Sequence, residues 1–381
     1  MSAIEPSARL TRFSDWQSAR AGAVSGSGND LSSFFAGIDA YSRMDRVREA
    51  INEIRREWHR YPAFMSELRN LVELSGVDLT SNARNARLRR VLSSQRSWAS
   101  SPTPDPGDGY DVIRLYASAR GYRQIFQTIN TAFRSAALVD DPGHLRAATF
   151  LIELLNIDLY NYRFRTPEAD DFQGTVYRGM CVHADELDAL RRVAVGPISE
   201  RYVAVPLAMV SASTELEPAI AFARNQARAD PGTNTVLWEI HISSLDQRLL
   251  DLYRSRFPES VVTSLCAVPI SRLSDFKHEE EVLLRGPHFQ ILDVTHDRAP
   301  AGHGVDCRIE AIALNSNRDH LSAIASNEGE DRHMRDLFRA LIVGYRSTLC
   351  AEYCDRRGSS DDTAAYRELA QTQKAVVSRY S

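Results

Sequence analysis

A change of period near residue 174 constrains this chain more than any other feature. Upstream of it, apolar residues recur at steps of three and four; downstream they fall in short runs bounded by Gly or Pro. Met44, Val47, Ile51, Ile54 and Trp58 stand among Arg and Glu on one stripe of an amphipathic helix, and Phe64, Leu68 and Leu71 continue the pattern. Tyr122, Phe126, Ile129 and Phe133 mark another helix, and Leu151 to Leu159 a strongly apolar one. GTVYRGM, TVLWEIHI, EVLLRG and HFQILDV then read as strands, being short and rich in Val, Ile and Leu. Helices followed by strands predict an α+β fold with a mostly antiparallel sheet.

At 381 residues, with 43% hydrophobic and 25% charged, the chain has the composition of a soluble globular protein of two or three domains. A formal net charge of −4 gives it no polycationic character, so nucleic acid is not the expected partner. The opening MSAIEPSARLTRFSDW lacks the apolar region of a secretory signal, and no run reaches the roughly 20 apolar residues of a spanning helix. The reading is cytoplasmic, or delivered into a host cell by a route without a Sec signal. Five cysteines, Cys181, Cys266, Cys307, Cys350 and Cys354, are too scattered for a disulfide framework and form no zinc set, so they read as structural thiols.

Domain boundaries follow from punctuation. Residues 1–100 read as a helical N-terminal region, its first thirty residues a loosely held arm. Arg84, Arg87, Arg89, Arg90 and Arg96 give that region one basic face, a solvated surface first and a membrane or partner contact second. ASSPTPDPGDG, with three prolines and two glycines, makes 101–109 a linker. Residues 110–315 form the next domain, and 316–381 return to helical spacing through Met334, Leu337, Phe338, Leu341 and Ile342.

Three fragments carry residues suited to chemistry. In HEEEVLLRG, strand alternation predicts that Glu279 and Glu281 share a face, roughly 7 Å apart, with Glu280 pointing away. Paired acids in a cleft raise at least one pKa and divide labour between charge stabiliser and proton acceptor; an exposed acidic strand edge is the bland alternative. In TVYRGM, Arg178 offers a planar fork of donors suited to a pyrophosphate, or to a neighbouring carboxylate, and Gly179 permits close approach to the backbone. In VSAST, Ser211 and Ser213 alternate onto one face just before a helix that Thr214 or Glu215 begins; a helix cap is the ordinary use of Thr214.

The order Arg in a strand, Ser-x-Ser leading into a helix with Ala219 and Phe222, then Glu-x-Glu before an apolar strand resembles the R-S-E class of mono-ADP-ribosyltransferases. YRG, SASTELEPAIAFA, VLWEIHI and DFKHEEEVLLRGPHFQIL are each similar to a family segment, and DVIRLYASARGYRQIFQTINTAF resembles the helical lobe before the first strand. The likeness spans about Tyr110 to Leu314 and implies a split antiparallel β-sandwich preceded by that lobe. It implies transfer of ADP-ribose from NAD to a target arginine, with no metal. Arg178 would clamp the NAD phosphates and Gly179 would meet the nicotinamide amide. Ser211 would orient the catalytic acid Glu281, while Ser213 and Phe222 would serve the cofactor pocket. Glu279 stands where a Glu accompanies arginine specificity, and Phe276 lies in the loop that presents the target protein. Two departures are Ala212 as the middle residue of the serine motif and Met209-Val210 in place of an aromatic before it. An NAD glycohydrolase using water, or a non-catalytic module binding NAD or protein, are the other expectations. Arg224 and Arg228 could reach a phosphate but read as surface charges.

Overall fold

The structure, a computed structural model, describes Ala50, Glu53, Glu57 and residues 60–74, 111–121, 142–163, 172–204, 209–229, 232–244, 248, 267–285, 288–296, 304–315 and 328–380. The helical stripe at Met44 to Trp58 apart from these, the basic segment at Arg84 to Arg96, the linker 101–109 and the helix expected at Tyr122 to Phe133 lie outside the described residues, as does Cys266.

Helices α1 (Tyr61–Leu74), α2 (Asp111–Tyr116), α3 (Ala119–Gly121) and α4 (Pro142–Arg163) precede the first strand. The expected stripe of α1 is inside: Phe64, Leu68 and Leu71 are buried, as are Leu151, Leu154, Leu155 and Leu159 of α4. The Phe64 and Phe150 rings meet with centroids 5.7 Å apart. Arg146 of α4 joins the two helices by polar contacts, its Nε donating to Glu67 Oε2 at 2.7 Å and its Nη1 to Glu53 Oε2 at 3.0 Å. Helices on either side of the Pro/Gly-rich stretch therefore contribute to one core.

Among the described residues eight strands follow: β1 (Gly174–Val182), β2 (Tyr202–Ala204), β3 (Met209–Ser213), β4 (Asn234–Ser244), β5 (Ala267–Pro269), β6 (Glu281–Arg285), β7 (His288–His296) and β8 (Cys307–Asn315). Helix α5 (Ala184–Val195) lies between β1 and β2, and α6 (Leu216–Ala229) between β3 and β4. The strand order is β2-β7-β8-β4-β1-β3-β6-β5. Every pairing is antiparallel except β4 with β8, so the predicted α+β class and mostly antiparallel sheet are found. β8 is a central strand that the sequence pattern did not single out.

β1 pairs with β4 along its length, from Gly174↔Ile242 to Val182↔Asn234, whereas among the described residues it meets β3 at Tyr177↔Ser213 alone. The sheet is thus split, with β3, β6 and β5 diverging from the other five strands beyond one shared pair. A split exposes backbone and side chains that a continuous ladder would consume, and it opens beside Arg178 and Ser211.

Helices α7 (Glu328–Arg356) and α8 (Ser360–Ser378) close the chain. Leu337, Leu341 and Ile342 of the expected stripe are buried, and Cys350, Cys354 and Tyr366 form an apolar cluster with Ile312 of β8. Gln290 of β7 donates to Tyr366 Oη at 3.0 Å, and Arg201 pairs with Asp362 at 3.0 Å, which fixes the helical pair on the sheet. No helix among the described residues is long and apolar enough to cross a membrane.

Candidate active site at the split between β1 and β3

The site begins with strand register. Tyr177 faces Ser213, and Ser213 faces Glu281, so three strands distant in sequence run side by side at this point. Arg178, next to Tyr177, sends its guanidinium across the split, where Nη1 donates to the Ser211 carbonyl at 2.5 Å. Its charge is close enough to Glu281 to favour the anion. Arg178, Ser211 and Glu281 are therefore gathered in one place.

Glu281 is only 7% exposed. Burial pushes its carboxyl up to about 7, aided by the nearby Glu279 charge; the hydroxyls of Ser211 and Ser274 and the Arg178 guanidinium pull the other way. Neither hydroxyl makes a hydrogen bond of standard geometry to the carboxyl in the rotamers present. Ser274 Oγ donates to the Ala117 carbonyl at 3.2 Å, and Ser211 Oγ is buried with no hydrogen-bond partner among the described residues. The buried Ser211 hydroxyl stands close enough to the Glu281 carboxyl to favour its anion.

Ser213 has a different occupation from the one expected. Its hydroxyl donates to the Glu279 carbonyl and accepts the Glu215 amide at 2.8 Å. The hydroxyl at the entrance to α6 is thus that of Ser213 rather than Thr214, while the Thr214 amide donates to the Glu280 carbonyl at 3.2 Å. Two successive residues of the β3 end hold two successive carbonyls of the glutamate segment.

Glu279 and Glu281 do not lie on one strand. Alternation along a strand was expected to place both on one face, but only Glu281 begins β6; Glu279 closes a single 3₁₀ turn, Lys277–Glu279. Between them Glu280 adopts the left-handed conformation at φ 41, which a non-glycine residue enters at a penalty of roughly 1–2 kcal/mol. The two carboxylates still sense each other, since Glu279 raises the Glu281 pKa, and burial raises that of the half-buried Glu279 itself. Glu280 is exposed, as expected.

Gly179 also serves a purpose that the sequence did not reveal. A Cβ there would lie 1.7 Å from the Ala219 carbonyl oxygen, so α6 occupies the side-chain space of Gly179. Close approach is real, but the approaching group on that face is a helix and not a ligand. Because neighbouring strand residues face oppositely, α6 covers the face of β1 away from the Arg178 side chain. Phe222 is half-buried on that helix. Phe276 is half-buried immediately before the 3₁₀ turn. Arg224 and Arg228 are exposed, and the Arg224 guanidinium lies over Gly304.

No family model matches this chain. No curated protein matches it either. Among solved structures, it is similar to the Vis toxin, an ADP-ribosyltransferase from Vibrio Splendidus, at 20% identity over 53% of this chain and 72% of that one, with a TM-score of 0.32. Exoenzyme S from Pseudomonas aeruginosa is 12% identical over 70% of this chain and 96% of that one, at a TM-score of 0.31. The type III effector XopAI from Xanthomonas axonopodis pv. citri is 13% identical over 80% of this chain and 92% of that one, at 0.28.

One acid and histidine group stands elsewhere. Ligand atoms of Glu239, His241 and Glu310 lie within 4.8 Å of one another. Arg308 pairs with Glu239 at 2.7 Å and Glu310 at 2.6 Å, and Arg357 reaches Glu310 at 2.5 Å. Two guanidiniums already supply the positive charge that a cation would bring, so the cluster is accounted for as an ion-pair network under α7. Burial also lowers the His241 pKa. Of the described cysteines, Cys307, Cys350 and Cys354 are buried and Cys181 is half-buried; burial pushes Cys350 up to about 12, which makes it a poor nucleophile.

Residues that sequence reasoning missed are Ser274 and Asp275. Their contacts are to a turn more than 150 positions earlier, and nothing in a local SD dipeptide announces them.

Proposed function

We propose that the chain transfers ADP-ribose from NAD to the guanidinium of a target-protein arginine and releases nicotinamide. The observation that carries the reading is the meeting of Arg178, Ser211 and a buried Glu281 where β1 parts from β3. The similarity of the surrounding segments to the R-S-E class supports it. NAD is a co-substrate here, and the residues invoked need no metal.

In this reading the C–N bond between the ribose and nicotinamide breaks, and its electron pair leaves with nicotinamide. Positive charge develops on the ribose. An ionised Glu281 beneath the sugar stabilises that charge more in the transition state than in the ground state. Arg178 holds the pyrophosphate through its fork of donors, and Ser211 turns its buried hydroxyl to the Glu281 carboxylate and fixes its orientation. A guanidinium nitrogen of the acceptor forms the new bond to the same ribose carbon, and Glu279 draws the acceptor in and takes the proton it sheds. Gly179 would contribute main-chain groups to the nicotinamide amide, and Phe276 would contact the protein bearing the arginine.

The test is a pair of assays on the full chain with labelled NAD, one scoring ADP-ribose bonded to arginine and the other free ADP-ribose. Glu281→Gln should lose both products. Glu279→Gln should lose the arginine product while keeping NAD hydrolysis. Labelling by Glu281→Gln as strong as the parent's would refute the reading. Free ADP-ribose with no arginine adduct would make the chain a glycohydrolase, and NAD bound but never consumed would make it a binding module.

A further inference from the structure

The loop from Ile270 to Glu280 carries Phe276 and Glu279 and is held at both ends. At its C-terminal end, Ser213 and the Thr214 amide hold the carbonyls of Glu279 and Glu280, and at its N-terminal end the Ile270 amide donates to the Glu281 carbonyl at 2.8 Å. At its middle the attachment is to the helical lobe. The Asp275 amide donates to the Ala117 carbonyl at 3.1 Å, and Ser274 Oγ donates to the same oxygen at 3.2 Å. Asp275 Oδ2 accepts the Ala119 amide at 3.1 Å. Ser274, only 3% exposed, also accepts the Phe276 amide at 3.0 Å, so the strap is continuous with the residue beside the 3₁₀ turn.

The anchor is itself rigid. The Ala117 amide donates to the Ile113 carbonyl at 2.9 Å, Ser118 Oγ donates to the Leu115 carbonyl at 2.9 Å and accepts the Gly121 amide at 2.8 Å, and Val112 and Ile113 are fully buried. With both ends of the loop held, the segment between them could still shift and carry the Phe276 and Glu279 side chains relative to Glu281, which is fixed in β6. Fastening its middle removes that freedom, and the gain in alignment is what a group meeting an incoming acceptor needs.

We propose that Asp275 and Ser274 are positioning residues that strap the loop bearing Phe276 and Glu279 to the helical lobe, so that the lobe sets the aim of the acceptor-side carboxylate. Its consequence for catalysis rests on the transferase reading above; the strap itself does not. Asp275 is exposed, so its replacement leaves the core intact, and Asp275→Asn keeps an oxygen able to accept the Ala119 amide where Asp275→Ala keeps none.

The experiment compares parent, Asp275→Ala and Asp275→Asn by hydrogen exchange at the amides of residues 276–280 and by steady-state kinetics with NAD and free L-arginine. Expected for Asp275→Ala is about tenfold faster exchange in that segment and about tenfold lower kcat/KM for arginine, with NAD hydrolysis within twofold of the parent. Asp275→Asn should restore both. Unchanged exchange in Asp275→Ala overturns the role of the Asp275 side chain in fastening the loop, whatever the kinetics. Faster exchange with equal loss of hydrolysis and transfer overturns its selectivity for the acceptor side. A parent that consumes no NAD defeats the transferase reading and with it the acceptor-side role, and the exchange contrast then decides the strap alone.

Discussion

Replacing Glu281 by Gln should make the protein more stable and inactive at once. Burial carries this carboxyl from its ordinary 4.5 up to about 7. Between those values the folded chain keeps a proton that the unfolded chain has released, so stability falls as pH rises through the window. At about 1.4 kcal/mol for each tenfold change in proton affinity, the total penalty comes to about 3 kcal/mol, complete above pH 7 and absent below 4.5. Gln is nearly isosteric and never ionises, so it escapes the penalty. Denaturant unfolding of parent and variant at pH 4, 6 and 8 should give a stability difference near zero at pH 4 that grows in favour of the variant to about 3 kcal/mol at pH 8. NAD consumption by the variant should fall at least 100-fold, in line with removing one preorganised electrostatic group. In the parent, kcat/KM for NAD should rise with pH up to about 7 and then level, since the anion is the useful form. A variant less stable than the parent at pH 8, or a difference independent of pH, would refute the claim that Glu281 is an acid held at a loss for function.

Ser211→Ala removes a buried hydroxyl that has no hydrogen-bond partner among the described residues, so its thermal stability should match or exceed the parent's by about 1 kcal/mol, while NAD turnover drops about tenfold and the pH midpoint of kcat/KM moves upward. Arg178→Lys replaces a planar fork by a point charge and should weaken NAD binding, measured by calorimetry, about tenfold or more. Gly179→Ala drives a methyl group into the Ala219 carbonyl and should destabilise the fold by about 3 kcal/mol in denaturant titration; a loss under 1 kcal/mol would show that α6 yields freely.

Periodicity alone determined much of this protein. The stripe Phe64, Leu68, Leu71, the apolar run in α4, the strands β1, β4, β6 and β7 and the α7 stripe were legible because each buries a face whose repeat is written locally. The chemistry-bearing residues Arg178, Ser211, Glu279 and Glu281 were legible as residue types in order, since an arginine in an apolar strand and two acids before another are unusual in themselves. β8 was not, although it sits between β4 and β7, because a strand buried on both sides of a mixed sheet carries little alternation.

Tertiary structure decided what those residues do. That Glu279 reaches Glu281 through a 3₁₀ turn and a left-handed Glu280, that Ser213 spends its hydroxyl on the glutamate segment, and that the Gly179 side-chain space belongs to a helix are all set by partners far away in the chain. The pKa of Glu281 depends on the same closure, for desolvation is a property of what surrounds a carboxyl and not of its neighbours in sequence. Local sequence encodes which face of each element seeks burial; only the packed sheet determines which polar groups are then left together in the gap where two of its strands part.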